Sequence, residues 1–222
     1  MRTHLDLFSG YGGFALAAYW AGYTTIGFCE IDPWLRGRLS SNFPGVPQHD
    51  DIKTLEADLV RSWIRAATAI DSDPDRQRSP LGKEDAEGQQ PDQGRGAWGE
   101  PEPPDGELCL HLLTGGYPCQ PFSHAGKRRG TSDDRHLWPY LPPLIAELQP
   151  ERILLENVSG HVRMGLDEVL SDLEDLGYAS APTIVPAAAV NAPHRRDRIW
   201  IACCRSDIAL ARPLEPDQLV LW

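Results

Sequence analysis

Apolar positions recur along this chain in two rhythms that take turns. Residues 4–8 form a short apolar run ending in small residues, which predicts a buried strand. Residues 14–21 are helix-like, and Gly22 is placed to stop that helix. Residues 25–30 are β-branched and apolar, hence strand-like. Asp32 and Pro33 then offer an N-cap and a first-turn proline for another helix. Leu55, Leu59, Trp63, Ile64 and Ala67 repeat at helical intervals. Residues 108–114 predict a strand, 141–148 a helix after two prolines, and 152–156 a strand. Residues 166–176 predict an amphipathic helix with Gly177 behind it, and 198–203 a last apolar strand. Strands alternating with helices predict an α/β chain, a parallel sheet with helices on both faces.

The rhythm breaks once, over residues 71–107. That stretch holds 11 acids, 4 bases, 6 Pro and 6 Gly, and almost no large apolar residue besides Leu81 and Trp98. Such a segment cannot bury enough surface to offset its ordering entropy, so it reads as a disordered, low-complexity insert. The expected organisation is a catalytic domain over 1–205, interrupted by 71–107, with a tail over 206–222. Composition then changes one inference. The net charge of -11 argues against a protein that coats nucleic acid through a basic surface. Yet -7 of it sits in the insert, and the remaining -4 leaves room for local basic loops.

Five cysteines, an odd number with no C-x-x-C pair, make a disulfide framework or a zinc site unexpected. Reduced thiols in a cytoplasmic protein fit best. No apolar run approaches a membrane span, and no signal-peptide core precedes the first glycines.

Four segments carry candidate chemistry. The first is D-L-F-S-G-Y-G-G-F-A, residues 6–15, at a strand-to-helix junction. Gly10, Gly12 and Gly13 let the backbone turn tightly and approach a ligand. Glu30 ends the next strand, where a carboxylate can accept hydrogen bonds from both ribose hydroxyls of a nucleotide-like cofactor. NAD and S-adenosylmethionine compete for this pattern. The second is T-G-G-Y-P-C-Q-P-F-S, residues 114–123, after a predicted strand. Cys119 lies there between prolines that stiffen the loop, and reads as either a nucleophile or a small core residue. The third is L-L-E-N-V, residues 154–158. Glu156 there is partly desolvated and able to hold or donate a proton, while Asn157 fits a cap or loop hydrogen bond better. The fourth is H-R-R-D-R-I-W-I-A, residues 194–202. Its arginines suit phosphate or a base carbonyl, or a solvated loop paired with Asp197.

In this order the four segments resemble the DNA (cytosine-5) methyltransferases. The glycine segment is similar to the family's cofactor loop and F-C-E-I-D, residues 28–32, to its ribose-binding motif. D-D-I, residues 50–52, resembles the motif that meets the adenine amine, here through Asp51. P-C-Q, E-N-V and R-R-D-R-I resemble the nucleophile, glutamate and arginine motifs. The resemblance implies a Rossmann-like S-adenosylmethionine-dependent methyltransferase fold with a mostly parallel sheet. It implies S-adenosyl-L-methionine as cofactor, held around Phe8, Ser9, Gly10, Gly12, Gly13, Glu30, Ile31, Asp51, Ile52, Pro118 and Leu137. It implies Cys119 as nucleophile toward C6 of a flipped cytosine, Glu156 at N3, and Arg196 with Arg198 on the base and on Glu156. It also implies double-stranded DNA as the partner, touched by Lys127, Arg128, Arg129 and Arg135 of the loop 126–135.

The resemblance is incomplete. The family continues with a target-recognition domain and two more motifs, but about 18 residues follow Cys204 here, and His194 stands where Gln is usual. The expectation is a DNA cytosine-C5 methyltransferase that works alone with loose specificity, as a phage-type or restriction-modification enzyme, or draws recognition from a separate subunit. The alternative is an inactive remnant or regulatory subunit that binds S-adenosylmethionine or DNA. A tRNA-modifying branch would share the same motifs. An NAD-linked oxidoreductase would leave Cys119, Glu156 and the arginines unused.

Overall fold

A computed structural model describes residues 1–71, 108–118, 137–163 and 165–211. The acidic stretch over 72–107, Cys119 and the basic loop 126–135 lie outside the described residues.

Seven strands form one sheet in the order β3-β2-β1-β4-β5-β7-β6. They are β1 (Thr3–Leu7), β2 (Thr24–Cys29), β3 (Gln48–His49), β4 (Leu112–Gly115), β5 (Arg152–Val158), β6 (Tyr178–Pro186) and β7 (Asp197–Arg205). β1 through β5 pair in parallel, and β7 runs antiparallel to both β5 and β6. Among the described residues six helices accompany them: α1 (Gly13–Trp20), α2 (Pro33–Asn42), α3 (Ala57–Asp71), α4 (Leu141–Leu148), α5 (Leu166–Asp175) and α6 (Ser206–Ala211). The sheet is therefore mixed but mostly parallel, as the alternation of rhythms predicts. None of the described helices is long and apolar enough to cross a membrane.

Local signals explain most boundaries. The Asp32 carboxylate accepts from the Trp34 and Leu35 amides at 2.8 and 3.2 Å, and Pro33 occupies the first turn of α2. This is the N-cap that the D-P pair predicts. Pro142 and Pro143 fall inside the first turn of α4, where a missing N–H costs no helical bond. α4 then buries Leu141, Leu144, Ile145 and Leu148. Each such side chain contributes about 1.5–3 kcal/mol by leaving water. α3, α4 and α5 join Leu5, Leu7, Leu113, Ile153 and Leu155 in the larger core. Ala15 of α1 and Leu39 of α2 pack with Phe28 on the opposite face.

The structure departs from the sequence reading in three places. β3 is two residues long and carries no periodic signal. β6 is an edge strand of Ala, Ser, Thr and Pro, exposed along most of its length, so neither alternation nor apolar content marks it. The tail expected after residue 205 begins as a helix, α6.

β1 is buried on both faces although it contains His4 and Asp6. Their hydrogen bonds run in one direction. Thr114 Oγ1 donates to Asp6 Oδ1 at 2.8 Å. His4 Nε2, 2.8 Å from Thr114 Oγ1, must therefore be the donor there. That leaves His4 Nδ1 to accept from Thr25 Oγ1 at 2.9 Å. The chain Thr25–His4–Thr114–Asp6 thus stitches β2, β1 and β4 together and fixes a neutral imidazole. Burial holds the His4 pKa down at about 3 and pushes that of Asp6 well up.

The two groups have opposite linkage signs. An unfolded chain protonates His4 near 6.5, whereas the folded one refuses the proton until about 3, so His4 costs stability as pH falls through that window. Asp6 keeps a proton in the folded state that the unfolded state has lost, so its contribution fades as pH rises above 3.8. We expect His4→Gln to flatten the loss of stability between pH 6 and pH 4 by up to about 1.4 kcal/mol per pH unit. Denaturant midpoints measured across that range check this. Equal slopes for the two proteins would refute the assignment.

Candidate active site

The carboxyl ends of β1, β2, β4 and β5 lie at one edge of the sheet and carry the glycine turn, Glu30, Pro118 and Glu156. After β1 the backbone turns through Phe8 at φ 54°, Gly10 at 54° and Gly12 at 84°. Ser9 braces the turn: its Oγ donates to the Asp6 carbonyl at 2.7 Å, and its own carbonyl accepts from the Gly12 amide at 2.8 Å. Gly12 is required twice, because its φ is left-handed and a Cβ would strike the Phe43 ring. Gly13 is different. It opens α1 without a positive φ, and a Cβ there meets nothing within 4 Å. The turn therefore rests on Gly10 and Gly12 and does not need Gly13.

Glu30 is buried at the end of β2 and bridges two loops. One carboxylate oxygen accepts from the Gly10 amide at 2.8 Å, the other from the Asp32 amide at 2.9 Å. Each oxygen retains a further lone pair. Beside it Ile31 is 68% exposed. Tyr11 and Trp34, also exposed, meet edge to face at 5.7 Å. Asp51 caps a single 3₁₀ turn by accepting from the Lys53 amide at 3.0 Å, and Ile52 behind it is buried. Leu137 is partly buried at the start of the 3₁₀ turn Trp138–Tyr140.

Glu156 sits on β5 just beyond the last paired residue of β4. Its Oε1 forms an ion pair with Arg198 Nε at 2.5 Å, both side chains about one quarter exposed. A Cβ on Gly116 would come within 3.2 Å of Glu156 Oε2, so the run toward Cys119 passes hard against this carboxylate. The arginine expectation sharpens here. Arg198 meets Glu156, whereas the Arg196 side chain is exposed and has no bonded partner among the described residues.

Two side chains support the approach to the cysteine, and only the first is foreseen in the sequence. Asn157 Nδ2 donates to the Tyr117 carbonyl at 3.2 Å, the loop hydrogen bond expected of that residue. The Tyr117 hydroxyl lies 2.8 Å from Nε2 of buried His161. Tyr117 and Pro118 immediately precede Cys119, so Asn157 and His161 tie the approach of the cysteine to the glutamate strand. No periodic pattern in the sequence singles out His161.

More than half of the chain, residues 104–219, matches the family described as C-5 cytosine-specific DNA methylase. The chain belongs to that family. A type II methyltransferase of Bacillus subtilis (strain 168), M2.BsuMI, is 30% identical over 204 residues, which are 88% of this chain and 40% of that protein. A solved mutant of DNMT2 from Spodoptera frugiperda shares the fold with a TM-score of 0.65 at 18% identity, over 97% of this chain and 53% of that one. A putative DNA modification methyltransferase encoded within an Escherichia coli prophage superposes with a TM-score of 0.64 at 23% identity, over 98% of this chain and 50% of that one. This methylase chain thus spans about half or less of the length of these relatives. Its fold is that of the S-adenosylmethionine-dependent methyltransferases.

The two glycines give contrasting expectations. Gly12→Ala should lose more than about 1 kcal/mol, since both the backbone and Phe43 resist it. Gly13→Ala should range from neutral to about 1 kcal/mol more stable, because Ala suits an open helical position better. Urea midpoints at constant m-value measure both, and equal effects would contradict the described turn.

Proposed function

We propose that this chain is the catalytic part of a DNA cytosine-C5 methyltransferase. The observation that carries the reading is the Arg198–Glu156 ion pair packed against Gly116, three residues before Cys119. That pair provides a fixed carboxylate and a guanidinium, and the sequence supplies a proline-framed cysteine three residues after Gly116. An electron-poor pyrimidine ring needs those three groups.

The residues fit S-adenosylmethionine. A Cβ at Gly10 meets nothing within 4 Å, so space lies open above the turn. Glu30 has one lone pair left on each oxygen for a ribose diol, and exposed Ile31 offers an apolar face for a base. Asp51 stands ready to accept from an exocyclic amine. When bound, the cofactor supplies an electrophilic methyl group on a sulfonium.

The chain's own residues do the rest. The Cys119 thiolate adds to C6 of a cytosine flipped out of the duplex, forming a C–S bond and shifting electron density to C5. Glu156 bonds N3 and holds the proton there as charge develops on the ring. Arg198 keeps the carboxylate in one orientation, and Arg196 is available for the base O2 or a phosphate. After methyl transfer, loss of the C5 proton and of the thiolate restores the ring. Where the chain needs a partner for target recognition, a separate subunit would contribute the DNA-reading surface.

Purified protein incubated with labelled S-adenosylmethionine and duplex DNA, alone and with the product of the adjacent gene, should transfer label to cytosine C5. No transfer in either case would sink the reading. 5-Fluorocytosine DNA should form a covalent adduct that Cys119→Ala abolishes. Glu156→Gln should lower kcat by about 10²- to 10⁴-fold while leaving cofactor affinity, measured by calorimetry, within about twofold.

A further inference from the structure

At the opposite edge of the sheet, where β1, β4 and β5 begin, Cys109, His111 and Glu151 bring a thiol, an imidazole and a carboxylate together. One donor atom from each lies within 4.8 Å of the other two. We propose that these three residues bind a zinc-type divalent cation, at a site separate from the methyl-transfer centre.

The backbone builds this cluster. Leu110 is buried in the core, so its neighbours Cys109 and His111 turn away from it together. The Leu110 carbonyl accepts from the Glu151 amide at 2.9 Å and the His111 carbonyl from the Arg152 amide at 3.0 Å, which sets Glu151 alongside. Cys109 Sγ already lies 3.4 Å from Glu151 Oε1. The Glu151 carbonyl is itself held by the Arg205 amide at 3.0 Å.

Thr3 orients the imidazole. His111 Nδ1 is 3.1 Å from the Thr3 amide nitrogen and 2.9 Å from Thr3 Oγ1, so it can accept from the first or donate to the second. Thr3 Oγ1 gives its own proton to the Cys109 carbonyl at 2.6 Å. In this structure the Thr3 amide donates to Nδ1; a cation at Nε2 requires the other tautomer, with the proton moved to Nδ1 and given to Oγ1. Zinc-bound histidines are fixed in this way by an outer partner. Thiolate, imidazole and carboxylate are the donors zinc prefers, and three protein ligands leave one position for water. Binding exchanges the Cys109 S–H bond for an S–metal bond and releases one proton to solvent, with no change of oxidation state. The consequence is a clip joining the starts of β1, β4 and β5.

The test uses the full, reduced chain and cobalt(II), then zinc(II). Cobalt should bind at one equivalent with a thiolate charge-transfer band, zinc should displace it, and zinc should raise Tm reversibly with chelator. Cys109→Ser should abolish the band, whereas Cys204→Ala and Cys119→Ala should keep it. Cys29 and Cys203 do not compete, since burial pushes their thiols up to about 12 and about 11. Glu151→Gln, the gentler change, should weaken binding by more than about tenfold, since it alters a ligand rather than an outer partner of one. No band from folded native protein, or a band that survives Cys109→Ser, would overturn the site. Methyl transfer does not enter this readout, so it stands or falls separately from the proposed activity.

Discussion

The geometry of the candidate site depends on the register between β5 and its antiparallel neighbour β7. Glu156 pairs with Trp200 and Val158 with Arg198, so Glu156 and Arg198 are diagonal neighbours on one face. At that separation long side chains meet, and here they form an ion pair. The other face of the same pair buries Ile153, Leu155, Ile199 and Ile201. A slip of one residue would send Arg198 into the apolar core and Ile199 into the cleft. Hydrophobic burial on one side therefore sets the Glu156–Arg198 contact on the other. The reversed direction of β7 also explains the order of the motifs. Glycine, acidic, cysteine and glutamate segments come at or after strand ends, while the arginine segment comes before a strand. Only an antiparallel strand brings its beginning to the edge where the others finish.

Glu30 imposes a second constraint of this kind. Its two oxygens bind the amides of Gly10 and Asp32, which join the glycine turn after β1 to the cap of α2. The turn is thereby held open in its left-handed conformation before any ligand arrives. Pre-organisation reduces the entropy lost on binding. The carboxylate that would meet a ribose is thus also the group that shapes the loop around it.

Much of this was legible in the sequence because it depends on local chemistry. Gly22 after a helix, the D-P start of α2 and the apolar runs of β1, β2, β5 and β7 each act within a few residues. The site motifs were legible because strand ends are marked by small and polar residues. What escaped depends on distant partners. His4 and Asp6 look out of place in a buried strand until Thr25 and Thr114 are beside them. β6 becomes a strand only because β7 lies next to it. The choice between Arg196 and Arg198 turns on side-chain direction across two strands, which spacing along the chain does not contain. Cys109, His111 and Glu151 are 42 residues apart end to end and meet only through the pairing of β4 with β5.

β1 is the common reference for all of these contacts. At its start Thr3 holds Cys109 and His111. In its middle His4 and Asp6 bond Thr114 of β4 and, through His4, Thr25 of β2. At its end the turn gives the Gly10 amide to Glu30. Buried polar groups contribute little net stability, since desolvation offsets much of each bond. They are directional, however, and an apolar strand of the same length would slide against its neighbours at small cost. With these bonds in place, shifting β1 by one residue breaks three sets of contacts at once and strands His4 and Asp6 without partners. A site whose turn must sit within hydrogen-bond reach of one carboxylate on β2 requires that degree of registration.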